Sequence, residues 1–155
     1  MTQEAASAFA FQAFNYETPK DLVLGSLPLA LRPYLKELEQ MSTEELIMLR
    51  WRMKWRAVAR QKQLAPKEFD GIRKSIWIVL TGRGFGKTFL GTNWLGERAA
   101  TSRYPYAVVA PTHDDVRHTC FEGVTGLVSV IPPELIADRN LSLPSITLWN
   151  GSLIR

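Results

Sequence analysis

One cysteine, Cys120, stands in 155 residues. A lone thiol closes no internal disulfide and brings no second thiolate to a zinc site, so the chain is neither a disulfide scaffold nor a cysteine-built zinc module. Long apolar runs are also missing. The longest strongly apolar stretch is Ile76 to Leu80, against about 20 residues for a membrane-spanning helix. No Lys or Arg precedes Lys20, and Glu4 comes before the mildly apolar stretch Ala5 to Phe14, so the basic start of a secretory signal is lacking. These absences lead to the expectation of a reducing compartment, with the cytosol as default and no membrane partner.

What is present suffices for a core. Apolar residues make up 46% of the chain and charged ones 22%, which suits one globular domain and excludes disordered, collagen-like and coiled-coil classes. Lys and Arg number 19 against 15 Asp and Glu, a net charge of +4. With an isoelectric point of about 9.4, that balance suits a polyanionic partner without requiring one.

Residues 1–41 read as an N-terminal arm followed by a short helix from about Pro33. Ser42-Thr43-Glu44-Glu45 is a capping box, and the helix it opens is expected to run to about Gln61. No acid interrupts the stretch from Leu46 to Lys67, where Arg50, Arg52, Lys54, Arg56, Arg60 and Lys62 interleave with Trp51, Met53, Trp55 and Val58. At 100° per residue Leu46, Leu49, Met53 and Ala57 form one stripe and Trp51, Trp55 and Val58 another, so the helix is expected to pack on two sides. Its cations then lie over apolar surface with their heads in water, a reading preferred here to a nucleic-acid-binding helix.

Residues 42–74 thus form a basic helix and linker, and residues 75–155 read as α/β. Ser75 to Leu80 is expected to be a strand buried on both faces. A helix follows from Lys87 to Ala100 with Leu90, Trp94 and Leu95 inward. Tyr106 to Ala110 is expected to be a second buried strand, and Thr112 to cap a helix carrying Val116, Cys120, Phe121, Val124 and Leu127 inward. Strand, loop, helix, strand, helix is the order of a parallel sheet. Glu134 to Ala137 is expected to add a helical turn. Ser145 to Trp149 and Ser152 to Arg155 form a hairpin about Asn150-Gly151, and Ser145 to Arg155 is expected to be left as an unpaired apolar edge.

The chemistry resides in Thr81-Gly82-Arg83-Gly84-Phe85-Gly86-Lys87-Thr88. A polyphosphate needs converging backbone N–H groups, and Gly82, Gly84 and Gly86 let the chain curl tightly enough to aim them. In such a phosphate loop (Walker A), Lys87 reaches the β- and γ-phosphates and Thr88 puts its hydroxyl on Mg²⁺. The pattern asks for glycine at 81, where Thr81 stands. Arg83, inside the loop, is placed to stabilise charge on a γ-phosphate as it transfers; as a plain loop residue it would face solvent. Elsewhere, His113-Asp114-Asp115 are read as helix-start residues rather than metal ligands. Ser102, Ser145 and Cys120 lack a His-plus-acid partner for nucleophilic catalysis.

From about Arg52 to Arg155 the chain resembles the large terminase subunit of tailed bacteriophages, the ATP-driven motor that packs DNA into a prohead. The resemblance rests on Ala59 to Leu64, Trp77 to Thr88 with Asn93-Trp94, Tyr106 to Thr112, Asp115-Val116-Arg117, Glu122 to Leu127 and Asn150-Gly151-Ser152, all in the same order. It implies an α/β fold: a P-loop (RecA/ASCE-like) parallel sheet with flanking helices, incomplete, preceded by an N-terminal helical segment. It implies ATP and Mg²⁺ as cofactors, Arg83 and Lys87 as catalytic groups, and Gln63 as the adenine contact. Gly82, Gly84, Phe85, Gly86, Lys87 and Thr88 would bind the phosphates, with Thr88 also on the metal. Implied partners are double-stranded DNA, a small terminase subunit and the portal of the prohead, in a ring of copies within the host cytoplasm. Two positions depart from the family, Thr81 for Gly and Lys62 for a common Asn. The family continues with an acidic strand end, a coupling motif and a nuclease domain, so these 155 residues are expected to be a first half that does not turn over ATP alone. The alternatives are part of a RecA-like helicase, or a non-catalytic module that docks on packaging partners.

Overall fold

The structure is a computed structural model and describes residues 20–65 and 76–155. The arm expected over residues 1–19, and Pro66 and Ser75 in the linker, lie outside the described residues. The rest is mixed α/β, with helices packed around a four-stranded mixed sheet.

Within the stretch read as an arm ahead of Pro33, Lys20–Gly25 forms a helix (α1) whose Val23 is buried. A 3₁₀ turn over Leu29–Tyr34 and a helix over Leu35–Gln40 (α2) follow. The long helix α3 covers Thr43–Val58 and opens on the expected capping box. The Glu45 N–H donates to Ser42 Oγ at 3.1 Å, and the Ser42 N–H donates to Glu45 Oε2 at 2.8 Å. Helix α3 ends at Val58 rather than Gln61, because Ala59 turns extended and Gln61–Gln63 forms a separate 3₁₀ turn.

Leu46, Ile47, Trp51 and Trp55 are the buried residues of α3. Ala57 and Val58 are exposed, so neither expected stripe continues through the last turn. Both tryptophans belong to the packing, as the aromatic interleaving was read. Helix α4, Lys87–Thr101, buries Leu90, Thr92, Asn93, Gly96, Ala99 and Ala100. Trp94 was expected inward and is 41% exposed, its ring set edge-on to Trp77 with centroids 6.0 Å apart.

The two long helices lie together through a small-residue contact. A Cβ built on Gly96 would sit 2.7 Å from Trp51 Cη2 and 3.0 Å from Ile131 Cγ1. Trp51 Nε1 donates to Asn93 Oδ1 at 3.2 Å, and the Trp55 ring meets Phe89 edge-on at 5.0 Å. As α3 advances from 51 to 55, its partners on α4 recede from 96 to 89. The helices are therefore antiparallel, and the end of α3 meets the start of α4.

The sheet differs from the parallel one expected. Its order is β1-β4-β3-β2, with β1 Pro105–Tyr106, β2 Ile136–Asn140, β3 Ser145–Leu148 and β4 Leu153–Ile154. Only β1 and β4 pair in parallel. Strands β2 to β4 are joined by short turns, which permit only antiparallel neighbours. Of the helical turn expected over Glu134 to Ala137, a 3₁₀ turn at Pro133–Leu135 supplies the start, and strand β2 takes over from Ile136. The hairpin is as expected, with Gly151 at φ 79°, but β4 is no edge: it lies between β1 and β3, and Ile154 is buried.

Neither long apolar run is buried on both faces. Residues 76–80 form no strand, and Ile76, Ile78 and Leu80 are 77%, 71% and 89% exposed. Beyond Tyr106, Ala107 is exposed and Val109 is 90% exposed. Apolar content favours burial only where a neighbouring segment lies alongside, and these outward faces have none among the described residues. The helix expected from about Asp114 is a π-helical stretch over Asp115–Phe121 and a short helix α5 over Leu127–Val130. Phe121 and Leu127 are buried as expected, whereas Val124 is 95% exposed on the Gly-flanked turn that separates them.

Gly96→Val should lower unfolding free energy by about 2 kcal/mol through overpacking, and Trp51→Ala by about 3–5 kcal/mol through the cavity left behind. Urea denaturation followed by circular dichroism reads both. Effects below about 0.5 kcal/mol would mean that α3 and α4 are not tightly joined here.

Candidate functional site

The phosphate-loop candidates, residues 81–88, lead from the irregular segment 76–80 into the start of α4. Two of the three glycines do what the sequence asked of them: Gly84 has φ 76° and Gly86 φ 86°, a region that costs an L side chain steric energy. Gly82 shows no such need. It is absent from the positive-φ glycines, and a Cβ built there meets nothing within 4 Å.

Gly86 is also the N-cap of α4 in the left-handed conformation, and its carbonyl accepts the first helical bond, from the Leu90 N–H at 2.9 Å. The opening N–H groups of a helix have no partners within it, and the helix dipole adds positive potential there. The Lys87 side chain folds back over the loop. Its ammonium donates to the carbonyls of Thr81 at 3.1 Å and Gly82 at 2.8 Å. A cation so held ties the two ends of the loop together and remains exposed. Arg83 is exposed, and Phe85 and Thr88 are half-buried.

Gln63 is brought to the loop from a distance in sequence. The antiparallel helix pair carries the turn after α3 to the residues before α4, and there Gln63, 7% exposed, donates from Nε2 to the Phe85 carbonyl at 2.6 Å. Its Oε1 accepts from the Arg60 N–H at 2.9 Å. The resemblance pointed to Gln63 as an adenine contact. In this structure both ends of its amide are engaged by backbone groups.

Two buried polar residues were given no structural role in the sequence reading, in which Asn93 entered only as a matching position and Thr92 not at all. Thr92 Oγ1 lies 2.9 Å from the Thr88 carbonyl and 2.8 Å from the Thr125 carbonyl, which joins the first turns of α4 to the 123–126 turn. Asn93 donates from Nδ2 to the Phe89 carbonyl at 2.7 Å while its Oδ1 accepts from Trp51. Polar residues on the buried face of an amphipathic helix were the available signal. At the other end of α4, Ser152 Oγ donates to the Ala99 carbonyl at 2.7 Å, and Asn150 Nδ2 donates to the same carbonyl at 2.8 Å. The Asn150-Gly151-Ser152 turn therefore satisfies carbonyls at the C-terminus of α4.

The described carboxylates around these elements are engaged. Glu97 accepts from Arg52 Nε at 2.6 Å and from Arg56 at 3.2 Å. Glu122 pairs with Arg117 at 3.3 Å and lies 3.3 Å from His118 Nδ1. Asp115 accepts from the Thr112 hydroxyl at 2.7 Å, and its own N–H donates to that hydroxyl. Among the described residues no three His, Cys, Asp or Glu side chains group as metal ligands. Cys120 has its thiol pushed up by burial and then by the charge of Asp115, which disfavours the nucleophilic thiolate.

The glycines separate in a simple test. Gly86→Ala forces a positive φ on alanine, and its Cβ would lie 2.8 Å from Gln63 Nε2. It should cost about 1–2 kcal/mol of stability. Gly82→Ala should stay within about 0.5 kcal/mol. Chemical denaturation of both variants checks the order, and equal effects would contradict this loop geometry.

Comparison with protein-family models, with curated proteins and with solved structures gives no match to the chain.

Proposed function

We propose that the chain binds Mg-ATP through residues 81–88 and serves as the ATP-binding portion of a viral DNA-packaging motor, with P-loop (RecA/ASCE-like) ancestry. The observation that carries the phosphate half of this reading is the loop itself. It curls through left-handed Gly84 and Gly86 into the start of a 15-residue helix, with an ammonium folded across it. Successive N–H groups in such a curl, at a helix N-terminus, form a concave donor set for anions.

The residues present fit a polyphosphate. Lys87 already donates to two backbone carbonyls, so phosphate oxygens can replace one set of acceptors with another of higher charge. The Thr88 hydroxyl would take one position on Mg²⁺, and Arg83 is exposed at the loop and able to reach a terminal phosphate. When bound there, Mg²⁺ would supply charge neutralisation for the terminal phosphates. The packaging half of the reading rests on the order of matching segments in the sequence. It brings duplex DNA, a small terminase subunit and the portal as proposed partners, in a ring of copies in the host cytoplasm. Of the basic row on α3, Arg52 and Arg56 are paired with Glu97 and Arg50 lies 3.8 Å from Glu134. Lys54 on α3, and Arg60 and Lys62 in the turn that follows it, are exposed and available to phosphates. No described helix is long and apolar enough to cross a membrane.

Hydrolysis needs a carboxylate to orient the attacking water beside the γ-phosphate. Among the described carboxylates Glu97, Asp115 and Glu122 hold the contacts given above and Asp114 lies 3.9 Å from His113, so binding without appreciable turnover is expected of the described residues. Titration calorimetry with Mg-ATP and with inorganic tripolyphosphate should show both binding the unsubstituted chain. Lys87→Ala should weaken binding of both by about 30- to 150-fold, as expected for a charge-assisted contact of about 2–3 kcal/mol. A parallel phosphate-release assay should stay at background. Unchanged affinity in Lys87→Ala would overturn the site, and steady release abolished by that substitution would overturn the expectation of no turnover.

A further inference from the structure

The geometry points to Gln63 as a positioning residue that sets the phosphate loop in its anion-binding shape, acting on the phosphates through the Phe85–Gly86 peptide. This inference rests on the reading of residues 81–88 as a phosphate site. It gives Gln63 a role that does not depend on the base of the nucleotide.

Gln63 is 7% exposed and reaches the loop with its amide held at both ends. Oε1 accepts from the Arg60 N–H at 2.9 Å, which fixes the side chain against its own 3₁₀ turn. Nε2 then donates to the Phe85 carbonyl at 2.6 Å. In a trans peptide the C=O and the following N–H point in opposite directions, and no described peptide bond is cis. With its carbonyl drawn to Gln63, the Phe85–Gly86 peptide must direct the Gly86 N–H away from Gln63. That N–H belongs to the donor set at the start of α4. The amide also occupies the space beside Gly86, 2.8 Å from where a Cβ would stand, so it backs the left-handed turn as well as orienting the peptide.

The consequence is energetic. A glycine-rich loop that is free to rotate its peptides must lose that freedom when an anion binds, whereas a loop already fixed does not. Replacing Gln63 should therefore weaken every polyphosphate ligand by one common factor. A residue that reads adenine would instead weaken ATP and leave tripolyphosphate unaffected.

The test uses Gln63→Met, close in shape but without the amide, on the full chain, with Lys87→Ala as the reference for loss of the site. Calorimetry should show Mg-ATP and tripolyphosphate both weakened about tenfold, the equivalent of one hydrogen bond. Nitrogen–proton correlation spectra without ligand should show the Gly86 and Lys87 amide signals displaced. Gln63→Glu, which keeps an acceptor for Arg60 but turns a carboxylate toward the Phe85 carbonyl, should displace the same amides and serves if the methionine variant does not fold. Weaker ATP with unchanged tripolyphosphate would overturn the proposal in favour of base recognition. Undisplaced loop amides, or a lowered melting temperature with unchanged affinities, would overturn it in favour of a purely structural role. Failure of the unsubstituted chain to bind tripolyphosphate would overturn the phosphate site itself, and displaced amides in that case would show the peptide contact standing without the function.

Discussion

The close approach of α3 and α4 at Gly96 is the constraint on which the site depends. Trp51 can lie over α4 only because position 96 carries no side chain. Its indole N–H, which would be costly to bury unpaired, is taken up by Asn93. From that contact the antiparallel course of the helices follows, and with it the meeting of Gln63 and Phe85, 22 positions apart in sequence. The Arg52–Glu97 and Arg56–Glu97 pairs lie along the same junction. Solvent-accessible pairs of this kind, the Arg52 one half-buried, add modest stability, but they use a part of the positive charge that the sequence displays as an unbroken basic row.

Helix α4 carries this arrangement from one side of the domain to the other. Its N-terminus is set by Gly86 and steadied by Thr92, whose hydroxyl reaches across to the Thr125 carbonyl. Its C-terminal carbonyls are received by Asn150 and Ser152 of the hairpin, which is itself paired with β1 and β2. The loop is thereby mounted on a helix fixed at both ends. Side chains at the loop can exchange partners without moving the frame that aims its N–H groups, a property that favours binding by reducing the ordering left to be done.

Local rules were legible in the sequence because they need only neighbours. The capping box at Ser42, the strand-turn-strand pattern about Gly151, and the curl through Gly84 and Gly86 follow from residues a few positions apart. What needed distant partners was not legible. Ile76, Ile78 and Leu80 have the composition of a buried strand, but composition does not state whether another segment lies beside them, and here their side chains face outward. The reverse holds for Ile136–Asn140: its largely exposed sequence is that of an edge strand, and its first two residues, following two prolines, read as the end of a helical turn. The pairing order of the sheet was likewise hidden, since β1 joins β4 across 48 positions. Gln63 was singled out by resemblance, but its partner at Phe85 emerges only when the two helices are packed.

The central claim is that the curled segment ahead of α4, and not the cations along α3, is where this chain receives phosphate. Titrating the uniformly nitrogen-15-labelled, unsubstituted chain with tripolyphosphate and following its amide signals tests that most directly. The account predicts saturable displacements concentrated on Gly84 to Thr88. Displacements confined to Arg50 to Lys62, with the loop amides unmoved, would contradict it.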